Sequence, residues 1–218
     1  MTSGTGRQGH LRGARSPWPV SDIVGFQGAT GTMPVLQREV DLFPEDLLER
    51  DVWAEVNGRS WWAMHCRPRQ EKSLARDLLA QEIGFYLPLR PCRYRTRRRV
   101  ITSHVPLFPS YVFVFADEHQ RVEALRTQRV VRALDVPDQL RLQNDLQKIR
   151  RLLESGMPVT PEDRLEPGTP VEIRSGPLRG MTGTIVRSMS RQRFVVYVDF
   201  LQQGASVLID DVDLRVIV

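Results

Sequence analysis

The chain has 218 residues, of which 41% are hydrophobic and 26% charged, and its formal net charge is +5. This composition is typical of a globular protein that buries a core, and it excludes a chain that is disordered throughout. The sequence has no run of about 18 apolar residues, so we expect a cytoplasmic protein without a membrane span. The two cysteines, Cys66 and Cys92, lack a CxxC spacing, which argues against a disulfide framework or a zinc ribbon.

The first part of the chain, residues 1–59, precedes any regular apolar pattern. Residues 1–32 are rich in Gly, Ser, Thr and Arg and predict a flexible tail, which makes Met33 a candidate start of the protein. Residues 33–59 predict an acidic lead-in to which the sequence assigns no role. Within it, Pro44 followed by two acidic residues favours the start of a short helix.

Alternating strand and helix patterns predict one domain over 60–156. SWWAMHC (60–66) is typical of a buried strand, and the leucine spacing that follows predicts a helix ended by Gly84. Two more strand segments joined by a basic hairpin, a second helix, a strand and a third helix complete the pattern. This order favours an antiparallel sheet flanked by helices, an α+β fold.

The remaining residues predict a linker over 157–167 and a small all-β domain over 168–218. Several short strands at close spacing are typical of a small β-barrel. In GPLRGMTG, we expect Gly176, Gly180 and Gly183 to permit tight turns between its first two strands.

The predicted hairpin is densely basic, and no acidic residue lies between Glu82 and Asp117. This pattern favours contact with nucleic-acid phosphates, with Tyr94 available for stacking on a base. The alternative is a solvated charge run that only protects an edge strand. The candidate contact residues are Arg93, Arg95, Arg97, Arg98 and Arg99.

The run PLFPSYVFV (106–114) raises a different question, because it places aromatic residues beside this basic segment. On a strand, Val112 and Val114 share the face that suits the helix-covered core, while Tyr111 and Phe113 share the other. The aromatic face is either a second core or an exposed patch for a protein partner. The residues alone favour the core, with the exposed patch as the alternative.

Catalytic motifs are missing from the sequence, so we expect no enzymatic activity, no metal and no cofactor. It contains no GxGxxG before a helix, no GxxxxGK[ST] loop and no GxSxG elbow. Cys66 and Cys92, with His65 and His104, lack the spacing of metal ligands.

Four segments together, in this order, resemble the NusG family of transcription elongation factors. They are SWWAMHCRPRQEKSLARDLL, the basic hairpin, PLFPSYVFV and GTPVEIRSGPLRGMTGTIV. The resemblance covers residues 60–218 and implies a NusG N-terminal domain followed by an SH3-like KOW barrel. The arginine-rich hairpin is closer to specialised paralogues of the RfaH, UpxY and LoaP type, which act as antiterminators.

The resemblance implies a monomeric factor that binds the clamp helices of the largest RNA polymerase subunit and suppresses pausing or termination. The implied polymerase-binding residues are Phe108, Tyr111 and Phe113, with Pro109 and Trp62 as neighbours. The hairpin arginines, together with Arg69 and Lys72, would face upstream or non-template DNA.

The KOW barrel implies a further contact with a small-subunit ribosomal protein or with Rho, and thereby coupling of transcription to translation. Ile185, Phe194 and Val196 fit either the contacting side or the barrel core, and the core is favoured. The alternative function is an RNA-binding or ribosome-associated KOW protein that does not meet polymerase.

Overall fold

The aromatic strand lies at the centre of a five-stranded antiparallel sheet in the computed structural model. The structure describes residues 39–49, 58–95, 100–163, 168–188, 191–209 and 214–217. All of these belong to one compact unit, Arg38–Val218. None of the helices in these ranges is long and apolar enough to cross a membrane.

From residue 60 to the third helix the elements follow the predicted alternation, except that each of the two strand segments joined by the hairpin is divided into two. A short additional strand precedes them. In chain order they are β1 (Leu42–Phe43), β2 (Ser60–Cys66), α1 (Glu71–Ala80), β3 (Gly84–Tyr86), β4 (Leu89–Arg95), β5 (Val100–Pro106), β6 (Tyr111–Ala116), α2 (Glu118–Arg126), β7 (Val130–Asp135) and α3 (Gln139–Glu154). The sheet order is β1-β3-β6-β2-β7, while β4 and β5 form a separate two-stranded hairpin.

Helices cover both faces of this sheet, which confirms the predicted α+β fold. Val112 and Val114 are buried with Leu74 and Leu78 of α1, as their alternation predicted. On the opposite face, Phe113 and Phe115 pack in a cluster that includes four buried apolar residues of α3: Leu142, Leu146, Ile149 and Leu152. Helices α1 and α3 therefore each bury one apolar stripe against one face of the sheet.

Side chains fix where the second and third helices begin and hold α3 to the sheet. Asp117 forms a capping box with Gln120, and the Asp138 carboxylate accepts a hydrogen bond from the Arg141 N–H at 2.9 Å. Gln139 binds both backbone groups of Trp61, accepting from its N–H at 2.6 Å and donating to its carbonyl at 3.0 Å. These hydrogen bonds fix the position of the start of α3 relative to β2.

Gly84 differs from its predicted role as the cap of α1. The helix ends at Ala80, and Glu82 rather than the glycine takes a left-handed conformation, with φ of 53°. Gly84 instead begins β3, where an added Cβ would lie 3.2 Å from the Phe115 carbonyl oxygen. Close approach of two strands is therefore the reason for glycine at this position.

Part of the expected acidic lead-in belongs to the sheet and its core. Leu42, Leu47 and Leu48 are buried, and β1 pairs with β3. Pro44 opens a turn rather than the expected helix, with the Leu47 N–H bound to its carbonyl at 3.0 Å. The leucines outweigh the acidic surroundings because their apolar surface packs beneath α3.

The C-terminal part is all-β, as expected. It comprises β8 (Thr160–Glu162), β9 (Thr169–Ile173), β10 (Thr182–Ser188), β11 (Arg191–Val198), β12 (Gln203–Ile209) and β13 (Leu214–Val216). These strands form one six-stranded antiparallel sheet in the order β13-β9-β10-β11-β12-β8. Ile185, Phe194 and Val196 are buried there, which confirms their assignment to the core.

Two details of this sheet differ from the predictions. Strand β8 lies within the expected linker, where the Glu162 carboxylate accepts hydrogen bonds from Arg193 at 2.9 Å and Ser206 at 2.5 Å. Gly176 and Gly180 have the predicted positive φ, but Gly183 does not. A Cβ on Gly183 would lie 2.6 Å from the Phe194 ring, so this glycine serves close packing.

Candidate protein and nucleic-acid interfaces

A tight turn carries the chain from the hairpin into the aromatic strand. The Tyr111 N–H donates to the Phe108 carbonyl at 3.2 Å, and Ser110 has a left-handed φ of 67°. The Cys66 N–H donates to the Ser110 carbonyl at 2.7 Å, and the Ser110 N–H donates to the buried Glu71 carboxylate at 2.7 Å. The turn is thus fastened both to β2 and to the first turn of α1.

The aromatic residues of this turn and strand divide into a buried pair and an accessible surface. Phe108 and Phe113 are 1% and 0% exposed, and their rings meet edge to face with centroids 6.0 Å apart. Pro109 is exposed and Tyr111 is half-buried. The Tyr111 ring lies 5.2 Å from that of His65, its partner across the strands. The side chains that a partner can touch directly are therefore Pro109, Tyr111 and His65.

Trp62 does not lie beside these residues, contrary to the expectation. It pairs with Val114 and packs on the α1 face of the sheet, where the Arg121 guanidinium stands 5.0 Å from its ring centroid. Trp61 occupies the aromatic face instead, 5.3 Å from Phe115. Strict alternation along SWWAMHC, combined with the pairing of β2 and β6, would have distinguished the two tryptophans.

Glu71 and His65 are the site residues that the sequence analysis missed. An acidic residue in the first turn of a helix is common for electrostatic reasons, so Glu71 carried no distinctive signal. His65 was considered only as a metal ligand, together with the two cysteines and His104. Its side chain lies beside Tyr111, on the face of the sheet opposite to Cys66. Burial raises the pKa of the Cys66 thiol to about 12, with Glu71 adding to the shift, so it stays protonated at neutral pH.

The basic hairpin projects from the body of the domain. Leu89 is buried at its base, whereas Arg93, Tyr94 and Arg95 are exposed at its far end. The other three predicted contact residues, Arg97, Arg98 and Arg99, lie outside the described residues. The described strands of the hairpin carry no acidic side chain, so its far end is a positively charged surface.

Arg69 and Lys72 lie at the start of α1, on the other side of the aromatic turn. Arg69 is exposed with a φ of 64°, and Lys72 is half-buried next to Glu71, which holds the turn. At the hairpin base, the Leu107 N–H donates to the Pro88 carbonyl at 2.8 Å. The structure thus places the turn between the start of α1 and the hairpin base.

Helix α3 also borders the C-terminal sheet across a cleft of about 520 Å³. Arg141 forms an ion pair across it with Asp199. Asp145 lines the cleft and is 8% exposed. Burial raises the pKa of its carboxyl to about 6, while Lys148 and Arg141 act against the rise. The ionised form of Asp145 is therefore less favourable in the folded protein than in the unfolded chain.

We expect Asp145→Asn to stabilise the protein at pH 7 by about 1 to 2 kcal/mol, a figure reduced because solvent in the cleft screens the charge. The folded-state pKa lies above the ordinary value, so the stabilising contribution of protonated Asp145 is complete below about pH 4 and is lost as the pH rises to about 6. Urea unfolding across this range should give a flatter pH profile for the variant. Identical slopes for variant and parent would contradict the prediction.

The family-model comparison agrees with the resemblance found in the sequence for part of the chain. Residues 59–154 match the family model described as NusG: Transcription termination factor nusG. Apart from β1, this region contains the whole five-stranded sheet. It also contains the hairpin and the aromatic turn. Residues 59–154, slightly under half of the chain, are thus similar to a domain of NusG-type transcription factors.

Solved structures with a likeness to the chain include two that are each 17% identical to it. One is described as "Domain interaction in Thermotoga maritima NusG"; it shares 17% identity, with a TM-score of 0.41, over 69% of this chain and 93% of that chain. The other is "Crystal Structure of MjSpt4:Spt5 complex conformation B", with 17% identity and a TM-score of 0.23, over 72% of this chain and 97% of that chain. No match was found among curated proteins.

Proposed function

We propose that the protein binds the clamp helices of the largest RNA polymerase subunit through the turn at Pro109 and Tyr111. The observation that carries this proposal is the position of that turn within the NusG domain, held rigid by Glu71 and left accessible at its tip. Phe108 and Phe113 act from beneath, as the buried support of the turn. Their role is positioning, while Tyr111 makes the contact.

The physical basis of this docking is the low entropic cost of a fixed aromatic surface. Tyr111 already packs against His65, and the backbone on both sides of it is hydrogen-bonded. Burial of its remaining exposed ring in an apolar groove contributes on the order of 1 to 2 kcal/mol. Little of this is lost on ordering the turn, because the turn is already ordered.

The basic groups on either side of the turn then face the nucleic acid that polymerase holds. Arg93 and Arg95 on the hairpin, with Arg69 and Lys72 near α1, contact the phosphates of upstream or non-template DNA. A factor that bridges the clamp and this DNA keeps the clamp closed and suppresses pausing or termination. Operon-specific antitermination, as in the specialised paralogues, is the narrower form of this proposal.

The C-terminal sheet is proposed to be the KOW domain that binds a second partner, a small-subunit ribosomal protein or Rho. Its apolar residues Ile185, Phe194 and Val196 are used in its own core. The contact with the partner is therefore made by other side chains of this sheet. With the first domain bound to polymerase and the C-terminal sheet bound to this partner, the protein couples the elongating polymerase to translation or to termination.

The test of the docking proposal is the affinity of the full chain for core RNA polymerase, measured without DNA. Tyr111→Ala should weaken binding by about 10-fold, as expected for the loss of one partly buried aromatic anchor. Tyr94→Ala is the matched control, because it removes an exposed tyrosine from the hairpin and should leave the affinity unchanged. Equal affinities for Tyr111→Ala and the parent would refute docking through this turn. In a separate pull-down with the full chain, recovery of ribosomes or RNA without polymerase would instead favour an RNA-binding or ribosome-associated KOW protein.

A further inference from the structure

The far end of the basic hairpin has two chemically different faces. Because residues paired across antiparallel strands share a face, Arg93 lies beside Thr102, and Arg95 lies beside Val100. Tyr94 and Ile101 form the intervening pair and point to the opposite side. One face thus carries two guanidinium groups on β4 beside two methyl-bearing side chains on β5, and the other carries an aromatic and β-branched pair.

The exposure of these side chains separates their roles. Tyr94 and Ile101 are 50% and 36% exposed and stabilise the hairpin as a cross-strand pair. Val100 is 63% exposed, which leaves it little part in the packing of the hairpin itself. A surface that contacts only phosphates has no use for an exposed apolar side chain directly across from an arginine. The Arg93 and Arg95 face therefore suits a ligand that presents both anionic and apolar groups.

We propose that this face, made of Arg93, Arg95, Val100 and Thr102, enters the major groove of duplex DNA and reads base edges. The inference rests on the proposed function, since polymerase is what presents duplex DNA to the hairpin. It goes beyond that function because phosphate contact alone carries no sequence information.

The dimensions of the hairpin suit this groove. Two strands stand about 4.8 Å apart, and a two-stranded ribbon with its side chains fits a major groove about 12 Å wide. No acidic residue occurs between Glu82 and Asp117 to oppose the approach to phosphates.

The chemistry of the four side chains predicts what is read. Arginine forms paired hydrogen bonds with guanine O6 and N7, and the methyl groups of valine and threonine contact the C5-methyl group of thymine. Since Arg95 and Val100 are direct cross-strand neighbours, as are Arg93 and Thr102, each pair spans adjacent bases. The preferred sites should therefore contain guanine next to thymine.

The experiment is selection of bound sequences from a random 20-base-pair duplex library by the full chain, followed by affinity measurement on the selected duplex. The parent protein should enrich sites with guanine beside thymine. The double variant Arg93→Lys and Arg95→Lys keeps both charges but loses the paired hydrogen bonds with guanine. It should therefore lose the guanine preference, and its affinity for the selected duplex should fall by about 10-fold. Val100→Ala with Thr102→Ser should relax only the thymine preference.

Two controls make the outcome decisive. Tyr94→Ala changes the opposite face and should retain the selected preference. If this variant instead loses binding, and the parent protein binds a single-stranded library more tightly than the duplex library, the proposal is overturned in favour of base stacking on Tyr94. Salt-sensitive duplex binding without any enriched sequence would also overturn it, since the hairpin would then contact phosphates only. Polymerase affinity is measured separately without DNA, so a failure of base reading is distinguishable from a failure of docking. All four positions of the reading face are exposed, and circular dichroism of each variant confirms that it is folded.

Discussion

Phe113→Ala is expected to lower the free energy of unfolding by about 3 to 5 kcal/mol. The Phe113 side chain is fully buried between the central sheet and α3, and its ring supports that of Phe108 at a centroid distance of 6.0 Å. Truncation leaves a cavity that the surrounding strands cannot close, because Ala63 and Tyr86 hold β6 in register on both sides. Urea unfolding followed by circular dichroism measures the loss.

The matched variants separate core packing from surface effects. Phe113→Leu retains most of the apolar volume and should cost less than half as much as alanine. Val131→Ala, on an exposed part of the edge strand β7, should change stability by less than about 0.5 kcal/mol. Should Phe113→Ala be as stable as Val131→Ala, the assignment of Phe113 to the core would be wrong. If Phe113→Ala remains folded at low temperature, its affinity for polymerase is measured at that temperature. A reduced affinity would show that the Phe113 side chain supports Tyr111.

The second large effect is expected from Glu162→Ala, which should destabilise the protein by about 2 to 3 kcal/mol. The Glu162 carboxylate accepts hydrogen bonds from Arg193 on β11 and from the buried Ser206 on β12. Alanine removes the acceptor while both donors remain largely shielded from water. Hydrogen exchange of the β12 amides, together with thermal unfolding, reports the loss.

Glu162→Gln is the control for this prediction. Its amide oxygen still accepts one of the two hydrogen bonds, so it should recover about half of the lost stability. Glu154→Ala removes an exposed carboxylate near the end of α3 and should have little effect. A loss as small as that of Glu154→Ala would mean that β8 is not stabilised through Glu162.

Patterns within single elements predicted most of the α+β sheet. The leucine stripe of α3 and the alternation of Val112 and Val114 led to the correct elements and faces, because both depend only on the periods of helix and strand. The lead-in and the linker were interpreted from their charge and proline content. Leu42, Leu48 and the strand at 160–162 show that a few residues in such segments join a sheet when a partner strand is near.

The candidate site could be predicted only in part from the sequence. The basic hairpin followed from composition, since charge without compensating carboxylates cannot be buried. Glu71 could not be found, because its contact with Ser110 joins residues 39 positions apart. Trp62 was placed on the wrong side because the sequence shows that tryptophans alternate, but not which strand pairs with which.

By itself, the sequence determined that residues 111–114 belong to a strand with one aromatic face, close to a hairpin that must remain in solvent. The turn at 107–110 that precedes this strand was not predicted. Only the tertiary structure decided which aromatics a partner can reach. Helix α3 and the leucines of 42–48 close over Phe108 and Phe113, while Pro109 and Tyr111 stay at the open end of the sheet. The physical reason is that exposure depends on which distant apolar segments cover a face, and local periodicity carries no information about them.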